Sequence, residues 1–131
     1  MTNPTAFLRR ILVADAVTSA AAGLLMVLGA GLLEARLGVP ASLLRYAGLS
    51  LIPFVAFVGY LATRARLSRG SVWAVIAANV AWVAASILLL VSGRIEPTLL
   101  GYVFVLGQAA AVAGIAEAQY VGLRRSAAAA A

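Results

Sequence analysis

The sequence predicts an all-α membrane protein, a four-helix transmembrane bundle built as two tandem helical hairpins. Three observations predict it. The hydrophobic fraction is 64% and only 11% of residues are charged, against about 25% charged in a soluble domain. The apolar residues form four long blocks rather than amphipathic stripes, so the expected solvent is lipid. The connectors EARLGVPA, RARLSRG and SGRIEP are short and carry Gly, Pro or Arg, as turns between antiparallel helices do.

The blocks cover roughly 7–33, 42–63, 71–91 and 98–123. Each exceeds the ~20 residues that a hydrocarbon core requires. They lack strict alternation, and four spans cannot close a barrel, so helices are expected. The first block carries Arg9 and Arg10 ahead of a run longer than a signal-peptide core, interrupted by Asp15. It is expected to stay as a span. Pro53, in the second block, frees the carbonyl of Leu49 and is expected to kink the helix. Trp73 near one surface, with Tyr46 and Tyr102 toward the other, fits an aromatic belt. Residues 124–131 are expected to form a short cytoplasmic tail, frayed at SAAAAA.

Charge supplies the orientation. Arg9, Arg10, Arg64, Arg66, Arg69, Arg124 and Arg125 fall on one side, and Arg36, Arg45 and Arg94 on the other. The positive-inside rule then places both termini in the cytoplasm, with a bacterial inner membrane as the expected location. The arginines lie between apolar blocks and not on a soluble basic face with interleaved aromatics, so no nucleic-acid partner is expected. There is no Cys, His or Lys. This excludes disulfides, the usual zinc and haem ligands, and Schiff-base or P-loop lysines. No nucleophile–base pair, metal cluster or phosphate loop is visible. Neither enzymatic activity, a metal nor a cofactor is expected.

Residues 14–29 and 78–93 align without a gap and are identical at seven of sixteen positions, with Asp15 matched by Asn79. PASLLRY resembles PTLLGY, and the second and fourth blocks both end in Tyr followed by Arg, at Tyr60/Arg64 and Tyr120/Arg124. The chain therefore reads as an internal repeat with a pseudo-twofold axis along the membrane normal. On this reading Asp15 and Asn79 face each other near the axis.

At ~1.5 Å of rise per residue, Asp15 lies about 8 Å into the core, Asn79 about 12 Å and Glu117 about 10 Å. A lipid-facing carboxylate at such depth costs a few kcal/mol. Asp15 and Glu117 are therefore expected to face inward, in one polar layer with Asn79 and Tyr60. Thr18 and Ser19, one turn from Asp15, would extend that layer, and Gln108 would reach the midplane. The layer is either a proton- or cation-responsive site or an interfacial ion-pair layer with Arg9, Arg10 or Arg124. On the fourth helix, Ala110, Gly114, Ala118 and Gly122 form a small-residue ribbon, flanked by Gly107 and Ala111. It is expected to pack within the monomer.

In length, four spans, terminal Arg pairs and a first-helix carboxylate, the chain is similar in architecture to the small multidrug resistance transporters. That family works as dimers around a first-helix Glu. Here the carboxylate is Asp15, and AFLRRILVADAVTSAAAG lacks the family's surrounding motif, so no site residues carry over. Through ADAVTSAAAGLL and EAQYVGLRR, the chain resembles the short, Ala/Leu/Gly-rich four-span bacterial integral membrane proteins of unassigned function. That resemblance implies a location in the bilayer. Two roles follow as expectations. One is a structural or accessory component of a larger membrane complex. The other is a small homodimeric transporter or channel, with proton or cation coupling through Asp15 and Glu117.

Overall fold

The computed structural model describes residues 4–130, and side chains over 5–126. It is all-helical: α1 (Pro4–Leu28), α2 (Ala30–Leu37), α3 (Ala41–Thr63), α4 (Arg69–Val91) and α5 (Leu99–Ala130). Four of these are long and apolar enough to cross a membrane: Thr5–Leu28 within α1, α3, α4, and Leu99–Ser126 within α5. By length and composition this is a multi-pass membrane bundle.

Two boundaries differ from the sequence expectation. The first block is not one helix to residue 33. It breaks at Gly29, where φ is −101° and ψ 12°, and Gly29 and Gly31 are poor helix formers. The short α2 that follows buries Ala30 and Leu37 against Met26, Val39 and Leu44 and so closes that end of the bundle. At the other end, α5 runs as helix to Ala130 instead of giving way to a frayed tail. Alanine is the strongest helix former, which accounts for the extension. Ala131 lies outside the described residues. In α3, Pro53 sits on the exposed side and the helix continues through it.

The turns are built from local chemistry. Gly38 ends α2 at φ 71°, a left-handed position that favours glycine. The Glu34 carboxylate accepts from the Ala41 N–H and caps α3. Ser68 caps α4 by accepting from the Ser71 N–H at 3.3 Å. Thr98 does two jobs: its hydroxyl accepts from Gly101 N at 3.1 Å, and it donates to Arg36 O at 2.8 Å. The start of α5 is thereby tied to the end of α2.

Helix α1 packs along α3, α4 packs along α5, and α1 on α5 joins the two hairpins. The α1–α3 contact is tight at Gly23 and Gly48, where a Cβ on Gly48 would lie 2.9 Å from the Gly23 carbonyl oxygen. Small residues let backbones approach in this way where lipid supplies no hydrophobic drive. One apolar cluster, at the arginine-rich end, draws Leu8 and Leu12 from α1, Val58 and Leu61 from α3, Val72, Val75 and Ile76 from α4, and Leu123 from α5. Just inside it, Asp15, Asn79 and Gln119 each lie about one turn beyond a member of that cluster on their own helix.

Candidate functional site: a buried carboxylate–amide clamp

Buried positions on α1 include 8, 12, 15, 23 and 26. Spacings of three and four define one face of a helix, and Asp15 lies squarely on it. Asn79 occupies the corresponding face of α4, after Val72, Val75 and Ile76. Gln119 occupies that of α5, between Ala116 and Leu123.

The three side chains meet. Asp15 is 2% exposed, Asn79 4% and Gln119 0%. Asn79 Nδ2 donates to Asp15 Oδ2 at 2.9 Å and to Gln119 Oε1 at 3.0 Å. Gln119 Nε2 donates to the same Asp15 Oδ2 at 2.7 Å. Ser19 Oγ donates to Asp15 Oδ1 at 3.2 Å. Three helices are thus closed into a ring around one oxygen. The Ser19 hydroxyl and the two amides all donate to the carboxylate, whose oxygens serve as acceptors. Both hydrogens of the Asn79 amide are used.

The expected site residues divide. Asp15, Asn79 and Ser19 come together. Glu117 does not join them: it is exposed on the opposite side of α5 from Gln119. Positions two apart on a helix differ by about 200°, so both cannot face inward. Glu117 instead lines an outward groove of about 570 Å³ between α4 and α5, with Ile76, Val80, Val83, Ala113 and Tyr120 among its walls. Thr18 is exposed and bonds back to Ala14 O at 2.8 Å and Asp15 O at 3.2 Å. Tyr60 is 58% exposed, with the Arg64 guanidinium 5.1 Å over its ring.

The arginines do not build an ion-pair layer with Asp15. Arg9 donates to Ala62 O at the end of α3 and to Ala65 O in the connector that follows. Arg124 lies 5.7 Å over Tyr120, whose ring meets Trp73 edge-on at 5.7 Å.

Gln108 belongs to a second, separate network. Trp82 Nε1 donates to Gln108 Oε1 at 2.6 Å, and Gln108 Nε2 donates to Ser86 Oγ at 3.0 Å and Val105 O at 2.8 Å. The bonds to Trp82 and Ser86 fasten α4 to α5 alone, and the bond to Val105 stays within α5. Interhelical hydrogen bonds in membranes average about 0.6 kcal/mol. Gln108→Leu is therefore expected to cost about 1 kcal/mol in detergent unfolding and to leave the Asp15 ring intact.

The small-residue ribbon is also split. Gly122 is buried, and a Cβ there would lie 3.2 Å from Phe7 Cδ1 and 3.3 Å from Leu8 Cβ. That end packs within the chain. Ala118 is half-buried, whereas Ala110 and Gly114, together with Gly107 and Ala111, are exposed. Around Gly107 and Gly114 a Cβ would meet nothing within 4 Å.

Gln119 is the site residue that sequence reasoning missed. Its signal was its spacing from Gln108: eleven residues is close to three full turns, so the two glutamines share the inward face of α5.

The fold and this ring define a class: a small four-span helical membrane protein whose central polar group is a hydrogen-bonded clamp between helices. No family model matches the chain, and no curated protein or solved structure does.

Proposed function

We propose that this chain is a structural, non-enzymatic accessory component of a larger membrane complex. Its place would be a bacterial cytoplasmic membrane, with the arginine-rich end and both termini in the cytoplasm. One observation carries the reading: the most buried ionisable group is already satisfied within the chain. Asp15 has its donors on α1, α4 and α5. Neither the α4–α5 groove nor the pocket at the arginine-rich end is lined by Asp15, Asn79 or Gln119. A coupling carboxylate needs a route for its ion.

The outward face of α4 and α5 supports the second half of the reading. Glu117 stands there beside Ala113 and the exposed Gly114. A carboxylate against lipid is costly, by about 2.5–3.5 kcal/mol at the bilayer centre and less toward the surface. A polypeptide covering this face would remove that cost.

The internal-repeat reading belongs here too. The aligned residues Asp15 and Asn79 are hydrogen-bonded to each other, which supports two hairpins facing across a pseudo-axis. The pairing is unequal, since α1 packs well on α5 while the equivalent α3–α4 packing is slight. With Asp in one copy and Asn in the other, one side chain donates and the other accepts across the pair.

The test is purification in mild detergent at native expression level, with the intact particle mass and a photo-crosslinker at Gly114. The expected result is a stoichiometric larger partner crosslinked through Gly114. A lone homodimer would contradict the accessory role and return the coupling role to consideration.

A further inference from the structure

The arginine-rich end holds a second cavity, distinct from the clamp. It has a volume of about 350 Å³ and opens between the α3–α4 connector, the start of α1 and the end of α5. Its floor is apolar, made by Leu8, Leu67 and Leu123, and its polar wall is Thr5, Arg66, Arg69 and Ser126. Leu8 and Leu123 belong to the buried cluster beneath.

Three features of this wall point to a ligand. Arg66 is exposed and has no hydrogen bond or ion pair among the described residues. Ser126 Oγ is buried with no hydrogen-bond partner, an arrangement that costs free energy unless something fills it. Arg69 opens α4 at the positive end of the helix dipole, where Ser68 takes the Ser71 N–H and the N–H groups of Arg69 and Gly70 have no intrahelical acceptor. Arg69 is only loosely held, through Nη1 to Leu123 O at 3.4 Å. The connector carries no carboxylate to neutralise Arg64, Arg66 and Arg69.

We propose that this pocket binds a phosphate group, and that the group is the headgroup phosphate of an anionic membrane lipid. Guanidinium forks and helix N-termini recognise phosphate oxygens. The Ser126 hydroxyl would supply a third donor. The apolar floor favours a lipid source over a free solute, because the glycerol and first methylenes of a lipid would rest on Leu8 and Leu123. Basic pockets between helices at a membrane surface take anionic headgroups in this way.

The test is a titration of the purified full chain in neutral detergent with dioctanoyl phosphatidylglycerol. Dioctanoyl phosphatidylcholine and glycerol phosphate are run in parallel. The expected result is saturable binding of the anionic lipid, at least tenfold tighter than the zwitterionic one. Each guanidinium near the surface is worth about fivefold, so Arg66→Gln should weaken binding by that factor. Arg66→Gln with Arg69→Gln should weaken it on the order of 25-fold. Arg10→Gln, at the same end but outside the pocket, should change it by less than twofold. Arg66 holds nothing in the fold, so its variant should unfold at the parent temperature without lipid.

Glycerol phosphate binding as tightly as the lipid, and lost in the same variants, would keep the phosphate site and overturn its lipid source. Equal losses in Arg10→Gln and Arg66→Gln would overturn the pocket in favour of diffuse surface charge. Absence of saturable binding by either phosphate probe would overturn the proposal outright.

Discussion

Asp15→Ala is expected to destabilise the bundle by about 2–4 kcal/mol, while Asp15→Asn costs less than about 1 kcal/mol. The two variants separate hydrogen bonding from charge. In Asp15→Ala, the Asn79 and Gln119 amides lose their shared acceptor in a buried site, and a cavity is left beside Leu12. In Asp15→Asn, the amide oxygen takes the place of Oδ2 and keeps both donors. The amide nitrogen then faces Ser19 Oγ, which turns from donor to acceptor. Equilibrium unfolding in mixed detergent micelles reads both. If the cost of burying the charge outweighed the hydrogen bonds, Asp15→Ala would be neutral or stabilising and would match Asp15→Asn. That result would contradict the clamp.

Gly48→Leu is the second large effect, at about 2–3 kcal/mol. The added Cβ would meet Val27 Cγ2 at 2.7 Å and the Gly23 carbonyl at 2.9 Å. The valine tip can turn away; the carbonyl belongs to α1 and can move only with the helix. Gly101→Ala acts by the same route at the other end of the bundle, since its Cβ would lie 2.0 Å from Leu37 O. Moving that carbonyl also stretches the Thr98 N–H bond to it, now 2.9 Å. Gly114→Ala is the contrasting control. Nothing stands within 4 Å of its Cβ, so the isolated chain should gain a few tenths of a kcal/mol from helix propensity. Thermal unfolding of the three variants checks the ordering. Within a complex, Gly114→Ala would be harmful if a partner backbone rests there.

Much of the fold is written in local pattern. Four apolar blocks set the spans, and the turn signals set the ends of α3 and α4 to within a residue or two. The end of the first block was not legible, because apolar residues continue past Gly29 and only tertiary packing of Ala30 and Leu37 turns the chain there. At the site, the aligned pair Asp15 and Asn79 was visible as a match in register. The third partner needed a choice between Glu117 and Gln119, two residues apart. Charge drew attention to Glu117, whereas helix phase relative to Gln108 favours Gln119. Ser19 and Thr18 posed the same problem: both lie a turn from Asp15, and only the direction of α4 and α5 decides between them. Arg9 looked like a counter-ion from sequence, yet the carbonyls at the end of α3 and in the connector that follows lie within its reach and take it.

The central claim is that the Asp15 ring is a dry clamp and not part of an ion path. The chain has no cysteine, so a single introduced thiol reports water access without background. Ser19→Cys places that thiol beside Asp15 with little change in volume, and Ala65→Cys places one in the exposed connector. Both would be treated in sealed vesicles and in inverted vesicles with a small, membrane-impermeant thiosulfonate. A dry clamp predicts that Ser19→Cys stays unmodified from both sides while Ala65→Cys reacts fully from one. Modification of Ser19→Cys at a rate near that of Ala65→Cys would place water at the ring and contradict the clamp.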